Sequence, residues 1–212
     1  MSNPGGIFIT FEGGEGAGKT TLINSVAEYL SAQDKNIVKT REPGGTKAAE
    51  DIRNLVVTGA ADRWDATSET ALFLTARRSH VQQLIKPALL ENSIVLCDRF
   101  SDSTLVYQGI AKKLGLDYVR QLSELIVGSI VPSLTFVIDI DPEIGLKRTQ
   151  QRSGDETRFE AHSLEFHQMI REGFLTLAQA EPNRMVVIDG SQTENEVFEA
   201  VKARIDQYSH FA

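Results

Sequence analysis

Residues 13–20 read Gly13-Gly14-Glu15-Gly16-Ala17-Gly18-Lys19-Thr20 and match the pattern G-x4-G-K-[ST] without a break. This motif follows an apolar run from Ile7 to Phe11 and opens a segment whose apolar residues recur at helical spacing. In such a strand–loop–helix unit, backbone N–H groups and the positive end of the helix surround phosphate oxygens. Lys19 then reaches the β- and γ-phosphates, and the Thr20 hydroxyl binds Mg²⁺. Because the stretch does not fit G-x-G-x-x-G, it predicts a nucleoside triphosphate site rather than a dinucleotide site.

Five short segments rich in β-branched residues alternate with longer stretches of helical spacing. They are Ile7 to Phe11, Ile37 to Thr40, Ile94 to Cys97, Leu134 to Ile140 and Met185 to Ile188. Four of them are nearly continuous apolar runs, as expected for strands that are covered on both faces. The alternation predicts an α/β fold with three layers, in which helices flank a five-stranded, mainly parallel sheet on both faces.

The stretches between these segments predict further helices and two loops. Apolar spacing predicts a helix over about 68–90, broken or kinked at Pro87, and further helices over 117–127, 144–151, 163–180 and 194–208. Polar and glycine-containing stretches at 57–67 and 152–158 are predicted to be loops. Loops at the carboxyl ends of strands in open sheets are also natural lids over a ligand.

Composition and charge exclude several classes of protein. The chain has 212 residues, 41% of them hydrophobic and 24% charged, as expected for one globular domain. Its net charge of −7 argues against nucleic acids and anionic membranes as partners. The single cysteine, Cys97, excludes an internal disulfide and lies in an apolar run that predicts burial. Since no stretch is apolar enough to span a bilayer and no secretory signal is evident, the predicted location is cytoplasmic.

Two other patterns carry candidate chemistry. Asp98 and Arg99 directly follow the third predicted strand, and ligands in open α/β sheets bind beyond such strand ends. There Arg99 suits a phosphate and Asp98 suits Mg²⁺ through water, although a structural ion pair is the alternative. Phe73 and Arg77 lie four residues apart on a predicted helix and share a face. This pair suits a stacked base and its polar groups, whereas ordinary core packing is the alternative for Phe73.

Taken together, these segments resemble thymidylate kinase of the bacterial type, a P-loop nucleoside-monophosphate kinase family. The matching stretches are residues 11–21, the turn from Thr40 to Thr46, Leu72-Phe73 with Ala76-Arg77-Arg78, and Asp98-Arg99-Phe100 leading to Tyr107-Gln108-Gly109. Pro132 to Thr135 and Asp139 also look like that family, and the similarity runs in order from about residue 6 to 190. The resemblance implies a single nucleoside-monophosphate kinase domain over residues 1–212, with a lid segment at about 148–160.

The resemblance also implies a function and a set of site residues. It implies ATP- and Mg²⁺-dependent phosphorylation of dTMP to dTDP, in the synthesis of dTTP, by a homodimer. The ATP site would comprise Gly13, Gly14, Glu15, Gly16, Ala17, Gly18, Lys19, Thr20, Thr21 and Arg148. The dTMP site would comprise Glu12, Arg41, Pro43, Phe73, Arg77, Arg99, Ser103, Thr104, Tyr107 and Gln108. Catalysis would depend on Lys19, Arg99, Arg152 and Glu12, and the metal would be bound by Thr20 and Asp98.

The lid is where the chain departs from the family pattern. Thr157 stands where an aspartate is common, before Arg158-Phe159-Glu160, and the P-loop contains no arginine. This resembles the subgroup whose lid supplies the catalytic arginine, so Arg148, Arg152 and Arg158 are candidates and a solvated charged loop is the alternative. Two other functions stay open at this point: a P-loop kinase for another nucleoside monophosphate, and a nucleotide-dependent switch that hydrolyses ATP slowly.

Overall fold

The computed structural model describes residues 5–149 and 158–208. Its strands are β1 (Ile7–Glu12), β2 (Ile37–Arg41), β3 (Ile94–Asp98), β4 (Leu134–Asp139) and β5 (Met185–Asp189). They pair in parallel in the order β2-β3-β1-β4-β5, which places β1 and the P-loop at the centre of the sheet. The predicted five-stranded parallel sheet is confirmed.

Helices cover both faces of this sheet. They are α1 (Lys19–Ser31), α2 (Lys47–Val56), α3 (Ala66–His80), α4 (Lys86–Leu90), α5 (Ser101–Thr104), α6 (Leu116–Ile126), α7 (Pro142–Thr149), α8 (Leu164–Ala180) and α9 (Glu194–Asp206). Apolar side chains of α1 and α9 pack on one face of the sheet, and those of α3, α4 and α8 pack on the other. Together with the P-loop, these three layers form the predicted P-loop NTPase fold. In the described ranges no helix is both long and apolar enough to cross a membrane.

Two π-helical segments modify the predicted helices. Val81–Ile85 joins α3 to α4, so the irregularity of the predicted helix lies in the turn before Pro87. The reason is that Pro87 has no N–H and its ring displaces the carbonyl one turn earlier. The second segment, Leu105–Ala111, continues α5. Neither it nor α2 was predicted, and α2 buries only Ala49 and Val56.

Each of the five strands ends in a charged residue, namely Glu12, Arg41, Asp98, Asp139 or Asp189. Four strands continue one residue beyond the predicted apolar runs, whereas β4 ends one residue earlier than predicted. Since parallel strands present their carboxyl ends at a common edge, these charges gather along one edge of the sheet. The functional site lies at this edge.

Candidate active site

The P-loop holds a buried cation. Lys19 Nζ donates hydrogen bonds to the carbonyl oxygens of Gly14 at 3.0 Å and Gly13 at 3.3 Å, so the ammonium group lies within the loop. Burial, followed by the charge of Arg99, lowers the pKa of Lys19 to about 8, which leaves it mostly protonated at pH 7. The cation and the start of α1 therefore both face the position where an anionic ligand would bind.

Two glycines allow the P-loop to pack directly against the backbone of α7. Gly16 has a φ of +69°, and a Cβ atom at this position would overlap the carbonyl group of Gly145. A Cβ atom on Gly145 would in turn overlap the carbonyl oxygen of Glu15. Because α7 ends at Thr149, this contact holds the root of the predicted lid against the P-loop.

Thr20 and Asp98 bring two side-chain oxygen groups together at the mouth of the P-loop. Thr20 Oγ1 donates to Asp98 Oδ2 at 3.0 Å, and both residues line the main cavity. Mg²⁺ binds oxygen and usually takes one or two protein ligands together with substrate phosphates and water. The hydroxyl–carboxylate pair fits that requirement. Among the described residues, no group of three or more His, Cys, Asp or Glu side chains is placed to hold a metal ion.

Arg99 lies between the P-loop and the rest of the cavity. Its φ of +66° is uncommon for a non-glycine residue. Its Nη1 donates to the carbonyl oxygen of Gly13 at 2.9 Å and to Ser103 Oγ at 3.3 Å. Its Nη2 donates to Glu15 Oε1 at 3.0 Å. The guanidinium group is thus fixed at the boundary between the phosphate loop and the helix that carries Ser103.

Of the two neighbouring glutamates, Glu15 faces the cavity and Glu12 does not. Glu12 is fully buried and accepts hydrogen bonds from the backbone N–H groups of Phe100 and Ser103 and from Ser103 Oγ. Burial, followed by the charge of Asp102, raises the pKa of Glu12 to about 7. In this structure the Glu12 oxygens are occupied beneath the turn at Phe100–Ser103, so the contact of Glu12 with the substrate stays a prediction.

Glu15 provides the cavity-facing carboxylate instead. Its Oε1 accepts hydrogen bonds from Arg99 and, at 2.9 Å, from the Tyr107 hydroxyl. Although burial opposes ionisation, the charges of Arg99 and Lys19 lower the pKa of Glu15 to about 2. At neutral pH this group is therefore an ionised hydrogen-bond acceptor beside Arg99 and Lys19.

A cavity of about 950 Å³ joins these groups to the other predicted substrate residues. On the P-loop side it is lined by Glu15, Gly16, Ala17, Gly18, Lys19 and Thr20. On the opposite side it is lined by Arg41, Pro43, Phe73, Arg77, Ser103, Thr104, Tyr107 and Gln108, with Arg99 between the two sets. We call the first set of residues the donor side, for the phosphoryl donor expected there, and the second set the acceptor side, for the expected phosphoryl acceptor. The predicted residues therefore converge from four separate stretches of the chain on a single cavity.

Arg77, on the acceptor side of the cavity, has one N–H group without a hydrogen-bond partner among the described residues. Its Nε donates to Glu42 Oε2 at 2.6 Å, and its Nη2 donates to the Phe100 carbonyl and Thr104 Oγ1, each at 2.9 Å. Its Nη1 is buried and has no hydrogen-bond partner among the described residues. Leaving a buried guanidinium donor unpaired is costly, so this group indicates an acceptor on a ligand.

Glu42 and His80 hold Arg77 in place and were not predicted. His80 Nδ1 lies 2.9 Å from Glu42 Oε1, and His80 Nε2 lies 2.7 Å from Thr40 Oγ1. Glu42 and His80 are both buried. A signal existed in the sequence, because Glu42 lies in the Thr40–Thr46 turn and His80 follows Arg77 by one helical turn.

Arg158 is a structural residue rather than a cation at the phosphates. It is fully buried, its donors bind the carbonyl oxygens of Val56, Ala60 and Ala61, and it forms an ion pair with Glu69. Its neighbour Phe159 lines the cavity with its ring 6.0 Å from that of Phe73. The structure therefore removes Arg158 from the three candidate lid arginines.

The remaining predicted residues lie outside the cavity or outside the described ranges. Arg148 is exposed on the last turn of α7, and Thr21 is exposed on α1. Neither lines the cavity, and Gly13 and Gly14 contribute their carbonyl oxygens behind it. Arg152 falls outside the described residues, as does most of the predicted lid loop.

Comparison with known proteins gives the family of this chain. The family model described as thymidylate kinase matches residues 11–201, from the end of β1 into α9. The chain belongs to the thymidylate kinase family. A thymidylate kinase of Magnetococcus marinus is 50% identical over 187 residues, which cover 88% of this chain and 89% of that protein. A thymidylate kinase of Caulobacter vibrioides is 45% identical over 196 residues, which cover 92% of this chain and 94% of that protein.

A solved structure extends the likeness to three dimensions. The crystal structure of a thymidylate kinase from Ehrlichia chaffeensis has a TM-score of 0.78 and 36% sequence identity to this chain. The match covers 95% of this chain and all of that one. Both the P-loop and the acceptor side of the cavity fall inside the range matched by the thymidylate kinase family model. The fold and the family predicted from the sequence are therefore confirmed.

Proposed function

We propose that this protein transfers the γ-phosphoryl group of ATP to the phosphate of dTMP, giving ADP and dTDP. The observation that carries the proposal is the position of Arg99, which contacts Gly13 of the P-loop and Ser103 of the acceptor side with one nitrogen. A cation at that boundary suits two phosphates that approach each other, because it is placed to bind the acceptor phosphate beside the donor phosphate. Membership of the thymidylate kinase family supports the same substrates.

In the proposed reaction, the chain positions two nucleotides and stabilises charge. An oxygen of the dTMP phosphate attacks the γ-phosphorus of ATP, a new P–O bond forms, and the bond to the bridging oxygen of ADP breaks. The acceptor phosphate is already ionised at neutral pH, so such a transfer depends on alignment and electrostatics more than on a strong base. Lys19 would exchange its contacts with the Gly13 and Gly14 carbonyls for phosphate oxygens and follow the migrating charge.

Thr20 and Asp98 would hold Mg²⁺ at the donor phosphates. When bound, the ion supplies positive charge that neutralises phosphate oxygens. Asp98 contributes a carboxylate and Thr20 a hydroxyl, and their contact at 3.0 Å places both at the mouth of the P-loop. Glu15 replaces Glu12 in this account as the carboxylate beside the acceptor, where its ionised oxygens suit a sugar hydroxyl.

The acceptor side fits a pyrimidine with a carbonyl group on its edge. Phe73 offers a ring for stacking, and the unpaired Arg77 Nη1 offers a donor for a carbonyl oxygen. We expect kcat/KM to be highest for dTMP and lower for dUMP, because filling a methyl pocket is worth only about 1–3 kcal/mol. For dCMP and AMP we expect values lower by up to about 10⁴, since mismatched edges leave buried groups unpaired. Steady-state assays with these four acceptors test this order, and a preference for AMP would contradict the proposed acceptor.

Phe73→Ala tests the stacking role. We expect kcat/KM to fall for dTMP and dUMP together, because both bases present the same face to the ring. Phe198→Ala is the matched control, since Phe198 packs against Tyr29 at 6.1 Å between α9 and α1 and does not line the cavity. If Phe73→Ala and Phe198→Ala had the same small effect on dTMP turnover, Phe73 would be a packing residue only.

The proposal includes the organisation of the protein. Residues 1–212 would form one nucleoside-monophosphate kinase domain with a lid at about 148–160, whose root is the described contact of α7 with the P-loop. A homodimer is supported by apolar side chains on and after α6, where Leu125 is 83% exposed and Val131 62%. The mass in solution decides between monomer and dimer. A cytoplasmic location is part of the same proposal, and the thiol of Cys97, the single cysteine, is buried and donates to the Arg99 carbonyl oxygen at 3.0 Å.

A further inference from the structure

A buried carboxylate lies behind the acceptor side of the cavity. Glu69 on α3 is fully buried, and its Oε1 accepts a hydrogen bond from Gln108 Nε2 at 2.8 Å. Lys112 Nζ lies 2.8 Å from both carboxylate oxygens, and Arg158 forms an ion pair with Oε2. Burying a carboxylate is costly unless charge and hydrogen bonds compensate, and here two cations and one amide do so. Because all three neighbouring groups are hydrogen-bond donors, the Glu69 carboxylate acts as a fixed acceptor.

The contact with Glu69 determines which way the Gln108 amide points. An ionised carboxylate can only accept hydrogen bonds, so it binds the NH₂ end of an amide and never the carbonyl end. Gln108 is buried and lines the cavity, and its Oε1 accepts no hydrogen bond from the described residues. The amide therefore offers the cavity a free carbonyl acceptor. Arg77 lines the same side of the cavity, and its Nη1 is a buried donor without a hydrogen-bond partner among the described residues.

We propose that Glu69 is a positioning residue that sets base specificity by holding Gln108 with its carbonyl oxygen toward the acceptor base. This inference rests on the proposed dTMP site. Arg77 and Gln108 together present a donor and an acceptor, which complement a carbonyl oxygen followed by a ring N–H. Thymine and uracil carry that sequence of groups at O4 and N3–H. Cytosine carries the reverse, an amino group followed by an unprotonated ring nitrogen, so both contacts would become repulsive.

Glu69→Gln tests this role because the introduced amide can either donate or accept. Gln108 is then free to turn its NH₂ group toward the base. We expect the ratio of kcat/KM for dTMP over dCMP to fall by about tenfold or more, by a loss for dTMP and a gain for dCMP. Calorimetric Kd values for the two nucleotides, measured without ATP, should shift in the same directions. A purely structural role would lower both activities together and leave the ratio unchanged.

Two further variants make the test specific. Lys112→Met removes one cation from Glu69 but leaves the bond to Gln108, so we expect a lower Tm and a ratio within about twofold of the original. The double variant Glu69→Gln with Gln108→Glu exchanges the two side chains. The carboxylate at position 108 then accepts from the amide at position 69 and still presents only an acceptor to the base. We expect this variant to recover the preference for dTMP.

The outcomes separate this inference from the proposed function. If the unaltered protein phosphorylates dTMP well and Glu69→Gln keeps the ratio of dTMP to dCMP, the inference is overturned and the proposed function stands. If the unaltered protein does not phosphorylate dTMP, the proposed function fails first. Should Glu69→Gln not fold, the double variant decides, because it keeps one buried carboxylate bonded to one amide. A folded double variant without a preference for dTMP would overturn the inference.

Discussion

Replacing Lys19 by alanine is expected to lower kcat by roughly 10³-fold or more, because the variant loses the cation that follows the transferred phosphoryl group. The ammonium lies inside the P-loop on the carbonyl oxygens of Gly13 and Gly14. It is mostly protonated at pH 7, since its pKa is about 8. Steady-state turnover with saturating ATP and dTMP measures the loss, and thermal unfolding checks that the variant is folded.

Lys39→Ala is the matched control for this experiment. Lys39 lines the same cavity, but it is exposed and donates to Asn24 Oδ1 at 2.9 Å, away from the P-loop carbonyls. We expect the control to keep kcat within about threefold, as for a solvated surface charge. A folded Lys19→Ala protein with even a tenth of the original turnover would contradict the role assigned to Lys19.

Replacing the arginine that we propose the lid supplies is expected to lower kcat by about 10³–10⁵-fold with little change in the KM for dTMP. Arg148 and Arg152 are the two candidates after Arg158 has been removed, and each is replaced singly by alanine. The P-loop contains no arginine, and α7, which carries Arg148, packs directly on it. Arg148 lies on the last turn of α7, and Arg152 follows it by four residues in the sequence. Both candidates are therefore close in sequence to the helix that packs on the P-loop.

Arg158→Ala serves as the contrasting variant. Removing the Arg158 guanidinium group leaves the buried Glu69 with one cation fewer and leaves three carbonyl oxygens without their donor. We therefore expect the free energy of unfolding to fall by about 3–5 kcal/mol. Calorimetry should show this as a lower Tm. If Arg148→Ala and Arg152→Ala both turned over at near-normal rates, the lid would only cover the nucleotide, and the charge stabilisation assigned to it would be wrong.

The sheet was predictable because its signal is local and repeated. Runs such as Ile94 to Cys97 are apolar on both faces, which is the signature of a strand in the middle of a three-layer fold. The P-loop was equally clear, since the order of its residues is set by contact with phosphate. Phe73 and Arg77 were predicted to share a face, and both line the cavity.

The residues that support the site were less predictable, because their partners come from distant parts of the chain. Arg158 looks like any charged loop residue in the sequence, yet its partners lie about a hundred residues earlier, at 56–61. The family resemblance implied a substrate contact for Glu12, whereas in the structure the turn at Phe100 and Ser103 occupies its carboxylate. Glu69 carried a usable signal, since it precedes Phe73 by one helical turn on the same face.

The most direct test of the central claim is the stoichiometry of products when the protein is mixed with ATP, Mg²⁺ and dTMP. Chromatographic separation of the nucleotides measures ADP and dTDP in the same sample, with a parallel sample that lacks dTMP. We expect one dTDP for each ADP and very slow ADP formation without dTMP, because the proposed phosphoryl transfer needs the acceptor aligned by Arg99. Equal rates of ADP formation with and without dTMP, with no dTDP formed, would contradict it and indicate an ATPase instead.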